Sequence, residues 1–154
     1  MTLYFAYGSN MARAAMERRC PTARVVGPAV LKSYDFFIGV DGWGSVKRKP
    51  GTAVHGILWK LAPRDIAALH AYELLHQGLY DVRYLPVRID GKCTRAMIYL
   101  LRRRAPGQPK PGYVEMIGAA ARAWKLPERY IRSVERWSVS RFTGARLIDV
   151  GELA

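Results

Sequence analysis

Cysteine and histidine are both scarce in this chain: Cys20 and Cys93 are its two cysteines, and His55, His70 and His76 its three histidines. The cysteines lack the paired spacing of a zinc site or a redox motif and read as two unrelated free thiols. The histidines have no acid partner at metal-ligand spacing, and Ser9 stands in no Gly-x-Ser-x-Gly elbow. These absences argue against a metalloenzyme and a serine hydrolase. No Gly-Lys-Ser/Thr follows Gly8, and Gly42-Trp43-Gly44 lacks the third glycine of a dinucleotide fingerprint. The reading therefore calls for no metal and no cofactor. No apolar run approaches the roughly 20 residues that cross a bilayer, and Gly8-Ser9-Asn10 arrives before any signal-like stretch develops. No membrane partner is expected, and a reducing cytoplasm is the expected compartment.

Acid is also in short supply, 12 residues against 25 lysines and arginines, which leaves a net charge of +13. Such a charge attracts nucleic acid or anionic surfaces. The basic residues are dispersed, however, with Lys47-Arg48-Lys49 and Arg102-Arg103-Arg104 each near a proline and beside expected turns. No recognition helix, zinc finger or RNA-stacking sequence accompanies them. A solvated basic surface without a specific nucleic-acid partner is the expectation, and a non-catalytic basic binding module is its alternative.

Half of the 154 residues are hydrophobic and 11% aromatic, enough for a core without disulfides or a structural metal. One domain over residues 1–154 is expected. Residues 3–7 read as a short buried strand, broken by Gly8-Ser9-Asn10 and followed by a helix over 11–19. Strands are expected over 30–40 and 53–61, with a turn at Asp41-Gly42-Trp43-Gly44 between them. Pro63 suits a first helical turn, so 64–73 reads as a helix. Strands over 80–89 and 94–101 form a hairpin about Asp90-Gly91. The proline-rich stretch 105–112 reads as an exposed connection. Tyr113, Ile117, Ala121 and Trp124 recur at helical spacing, and a second helix covers 128–137. The last dozen residues read as a surface tail or a final strand. The order of elements argues for an α+β fold.

Two places could carry chemistry. Glu73 follows Ile66 by seven residues and Leu69 by four, which sets a carboxylate on the apolar stripe of its helix. Desolvation would raise the pKa of such a group and suit it to accept and return protons. The alternative is that the helix ends before Glu73, which then pairs with a surface arginine. Tyr7-Gly8-Ser9-Asn10 places a sharp turn at the start of a helix, whose amides bind anions. Its alternative is an ordinary strand-to-helix turn with Ser9 or Asn10 as the N-cap. Tyr80 and Tyr113, taken singly, read as core tyrosines with a bonded hydroxyl.

Together these segments resemble the γ-glutamylcyclotransferase-like family along the whole chain. Residues 3–11, with Tyr7-Gly8-Ser9-Asn10-Met11, resemble its opening strand and substrate loop; Val54-His55-Gly56-Ile57-Leu58-Trp59 resembles its central strand. Residues 69–80 resemble the stretch holding its catalytic glutamate, and 113–130, ending in Leu126-Pro127-Glu128-Arg129-Tyr130, resemble its late helix. The resemblance implies a small mixed β-barrel flanked by helices. It implies Glu73 as general acid/base, a substrate loop of Tyr7, Gly8, Ser9, Asn10 and Met11, and a wall of Tyr80 and Tyr113. The partner it implies is a small γ-glutamyl molecule, cyclised to 5-oxoproline with release of an amine; a homodimer is left open. In this chain Leu74 stands where the family commonly has glycine, and His70 where aspartate is frequent. A different acid/base reaction on the same scaffold is therefore the enzymatic alternative.

Overall fold

A computed structural model describes residues 1–73 and 77–139. Five strands are ordered β1 (Thr2–Ala6), β3 (Gly44–Leu61), β2 (Arg24–Ile38), β4 (Tyr80–Ile89) and β5 (Lys92–Leu101), and they close into a barrel. All neighbours are antiparallel except β1 and β5, which meet in parallel with Tyr4 opposite Met97. Four helices accompany the barrel among the described residues: α1 (Arg13–Arg19), α2 (Pro63–Tyr72), α3 (Tyr113–Ala123) and α4 (Glu128–Val139). This is the mixed barrel with helices that the sequence led us to expect.

Closure explains the burial pattern. A strand inside a closed barrel has no free edge, and most of β1 and the second half of β5 are continuous apolar runs. Every residue from Ala96 to Leu101 is buried, as are Tyr4, Phe5 and Ala6. Phe5, Ile57, Met97 and Ile98 are fully enclosed. The Asp90-Gly91 turn joins β4 and β5 as expected, with both residues at positive φ and Ile89 paired to Lys92.

Three boundaries differ from the sequence reading for physical reasons. The two strands of the first hairpin are longer than expected, 24–38 and 44–61, because β3 runs straight through Lys47-Arg48-Lys49-Pro50. A proline is tolerated there because the ladder skips: Tyr34 pairs with Arg48, and the next pairing is Lys32 with Ala53. This bulge has Ser33 and Gly51 at positive φ. The helix expected over 11–19 is split into a 3-10 turn, Ser9–Met11, and α1. Ala12 between them is extended, and the Met11 carbonyl, released from the helix, accepts a bond from the Trp124 indole at 2.6 Å. The proline-rich stretch is tied down rather than loose. Val40 N–H donates to the Ala105 carbonyl, Gly107 N–H to Ile38 and Lys110 N–H to Gly42. The tail expected over the last dozen residues lies outside the described residues.

Both cysteines are free; burial pushes the Cys20 thiol up to about 11, and Cys93 is exposed. No helix among the described residues is long and apolar enough to cross a membrane.

Candidate active site

The site is built from α2 outward. Pro63 opens this helix and Asp65, 1% exposed, caps it by accepting the Ala62 N–H at 2.9 Å and the Thr22 hydroxyl at 2.7 Å. Its far end is Tyr72, so the helix does stop just before Glu73. The N–H of Glu73 still donates to the Leu69 carbonyl at 2.8 Å, which keeps residue 73 in helical phase with buried Leu69. Its side chain therefore turns toward a cavity of about 260 Å³ instead of joining a surface ion pair. The residue as a whole is only half-buried, but its carboxyl is the shielded end. Burial pushes that carboxyl from its ordinary 4.5 up to about 7, against the opposing pull of the Arg19 charge.

The second wall is the loop after β1. Gly8 leads into the 3-10 turn, which closes through Met11 N–H to the Gly8 carbonyl at 3.1 Å and Ala12 N–H to Ser9 at 3.2 Å. Among the described residues the backbone N–H groups of Ser9 and Asn10 donate to no protein group. They are unspent donors on two residues that line the cavity. Asn10 is buried, and its carboxamide nitrogen donates to the Tyr4 hydroxyl at 3.1 Å and lies 3.5 Å from Glu73 Oε1. The Ser9 hydroxyl is 3.4 Å from that of Tyr72.

Tyrosines complete the enclosure. Tyr7 donates to the Tyr99 carbonyl, and the Tyr99 hydroxyl meets His70 Nδ1 at 2.8 Å. Tyr80 donates to the Gly44 carbonyl at 3.3 Å, while Tyr113 accepts the Gly44 N–H at 3.0 Å. One residue thus organises two phenols. A Cβ on Gly44 would lie 2.7 Å from Phe36 and 3.0 Å from the Tyr113 hydroxyl, and one on Gly8 would lie 3.2 Å from that hydroxyl. Both glycines leave room for Tyr113. Burial raises the pKa of Tyr4, Tyr7, Tyr80, Tyr99 and Tyr113, so these hydroxyls are neutral hydrogen-bonding groups.

Seven of the eight site residues expected from the sequence line this cavity: Tyr7, Gly8, Ser9, Asn10, Glu73, Tyr80 and Tyr113. Met11 does not. Its side chain is fully buried in the core, and its contribution is the turn and the carbonyl held by Trp124. Sequence reading missed Tyr4, Trp43, Gly44, Tyr72 and Tyr99, which also line it. Their signals were faint. Tyr4 and Tyr99 looked like ordinary strand aromatics, and Gly44 like half of a turn. Leu74 lies outside the described residues. Among those residues no side-chain cation lines the cavity, and the nearby Arg102 and Arg103 are paired with Asp81 and Asp41. No cluster of histidine, cysteine or acid among them could hold a metal.

The family model described as gamma-glutamyl cyclotransferase, AIG2-like, matches residues 4–121. The curated gamma-glutamylcyclotransferase of Homo sapiens is 27% identical over 153 residues, spanning 92% of this chain and 81% of the relative. That of Mus musculus is 26% identical with the same shares covered. A solved gamma-glutamyl cyclotransferase superposes with a TM-score of 0.82 over 99% of each chain at 24% identity, a likeness of fold. With more than half of its length matched by the family model, this chain belongs to the gamma-glutamyl cyclotransferase, AIG2-like family of enzymes.

Proposed function

We propose that the chain converts a γ-glutamyl amino acid or amine into 5-oxoproline and the free amine, with Glu73 as general acid/base. One observation carries this reading: a lone carboxyl, brought near neutrality by burial, stands in a tyrosine-lined cavity beside unspent backbone donors.

Such a substrate brings its own nucleophile, so the protein needs none. The α-ammonium gives a proton to the Glu73 carboxylate. The freed amine attacks the γ-carbonyl carbon, forming the ring C–N bond and placing the carbonyl electrons on oxygen. Collapse of this adduct breaks the bond to the other nitrogen, which leaves after protonation by Glu73; the ring nitrogen then gives up its second proton, which ends on the released amine. Over the whole reaction two hydrogens leave the α-nitrogen and two arrive on the departing one, so no water or cofactor is consumed. Holding the two reacting groups in an attack geometry supplies on the order of 7 to 11 kcal/mol of barrier lowering. The Ser9 and Asn10 amides are assigned to substrate oxygen, with Tyr7, Tyr80 and Tyr113 shaping the space around the glutamyl head. Gly8 keeps that space open, and Met11 holds the turn from behind.

The test is turnover of a panel of γ-glutamyl amino acids and amines, followed by 5-oxoproline release. Glu73→Gln should fold and lose roughly 10²- to 10⁴-fold in rate. Near-normal turnover by that variant would refute the assignment. A folded protein that releases no 5-oxoproline from any member of the panel would favour another acid/base reaction on this scaffold.

A further inference from the structure

Arg19 ends α1 and does not line the cavity, yet the site's polar contacts converge on it. Its Nη1 donates to the Asn10 carboxamide oxygen, and its guanidinium carbon sits over the Tyr72 ring, 3.7 Å from the ring centre. A guanidinium can only donate. The Asn10 carboxamide is planar, so fixing its oxygen on Arg19 turns its nitrogen the opposite way, toward the Tyr4 hydroxyl and Glu73 Oε1. Without that anchor the amide could rotate by half a turn and set its oxygen against the carboxylate, replacing a donor with a repelling acceptor.

We propose that Arg19 is a positioning residue for Glu73: it locks the Asn10 amide with its donor toward the carboxylate and supplies the positive charge that this carboxylate faces. The proposal rests on the role assigned to Glu73 above. The other groups around that carboxyl are Tyr4 and Tyr7 from the β1 side, Tyr80 from β4, Tyr99 from β5 and Tyr113 from α3. Tyr72 and His70 belong to α2 itself, with His70 turned to the Tyr99 hydroxyl. The phenols of Tyr4, Tyr7, Tyr80, Tyr99 and Tyr113 are held neutral by burial. Among the described residues, Arg19 is thus the permanent charge that opposes the desolvation of Glu73. Its stacking on Tyr72, the residue before Glu73, also ties the end of α1 to the end of α2.

Two readouts test this. The Glu73 carboxyl is titrated directly by carbon NMR of selectively labelled protein, and the pH–rate profile of 5-oxoproline release is measured in parallel. Arg19→Met should raise the carboxyl midpoint and the acidic limb of the rate profile together by about one pH unit. Arg19→Lys, which keeps the charge but not the fork, should stay close to the parent midpoint while losing several-fold in kcat. If Arg19→Met fails to fold, Arg19→Gln makes the same comparison, since it keeps a donor and drops the charge. An unmoved midpoint in a folded, charge-free variant overturns the proposal. The NMR arm needs no turnover, so its failure is distinct from failure of the acid/base assignment, which would appear as an active Glu73→Gln.

Discussion

Helix α2 carries a carboxylate at each end, and the two have opposite surroundings. Asp65, in the first turn, accepts from two donors, the Thr22 hydroxyl, which lies within reach of both its oxygens, and the Ala62 N–H, and sits where the helix presents its positive end. Glu73, just past the last turn, sits at the negative end and has one long contact from Asn10 and the field of Arg19. Burial alone therefore does not make a carboxyl reactive. What matters is whether burial is matched by donors: the satisfied acid is a structural cap, and the under-satisfied one is left able to change its charge near neutral pH.

The contrast is broken most severely by neutralising each acid in turn. Glu73→Gln should remove most of the turnover, by the factor given above, while the fold survives. Asp65→Ala should do the reverse, lowering stability by about 1 to 3 kcal/mol in denaturant melts because the half-buried Ala62 and Thr22 donors lose their acceptor. Its folded fraction should keep kcat/KM within a few-fold of the parent.

The pH dependence of stability separates the two ends further. The folded-state pKa of Glu73 is raised from 4.5 to about 7, so its protonated form is the one the fold favours. Its stabilising contribution is fully present below about pH 4.5 and is lost as pH rises through about 7. Glu73→Gln cannot titrate, so it should melt above the parent at pH 8, by on the order of 2 kcal/mol, and the gap should close by pH 4. A constant gap across that range would show that the carboxyl is not shifted. The smallest effect belongs to Thr22→Val, which removes one hydroxyl from Asp65 and should cost about 1 kcal/mol with turnover unchanged.

Local pattern carried much of the fold. The Asp90-Gly91 hairpin, the Pro63 helix start and the spacing of Tyr113, Ile117 and Ala121 are short-range signals, and the structure places the matching elements within a few residues of them. The extended first hairpin was less legible, because a proline and charged residues in β3 imitate a turn while a bulge lets the strand continue. The spacing of Glu73 from Leu69 showed that it could face inward, and the family resemblance singled it out. Other residues of the cavity were not singled out. Tyr4 and Tyr99 stand 95 positions apart in the chain, as their numbers show, and reach one cavity only through the parallel pairing of β1 with β5. Arg19 looked like one of many surface cations until its contacts with Asn10 and Tyr72 were visible.

The string of residues by itself determined where the chain turns, which stretches are apolar enough to be enclosed, and that an acid lies in phase with a buried leucine, since each depends on neighbours a few positions away. Only the tertiary structure decided which tyrosines, amides and arginine surround that acid, and so how far its proton affinity departs from that in water. Desolvation and charge act through space, over distances that barrel closure sets and that position along the chain does not encode.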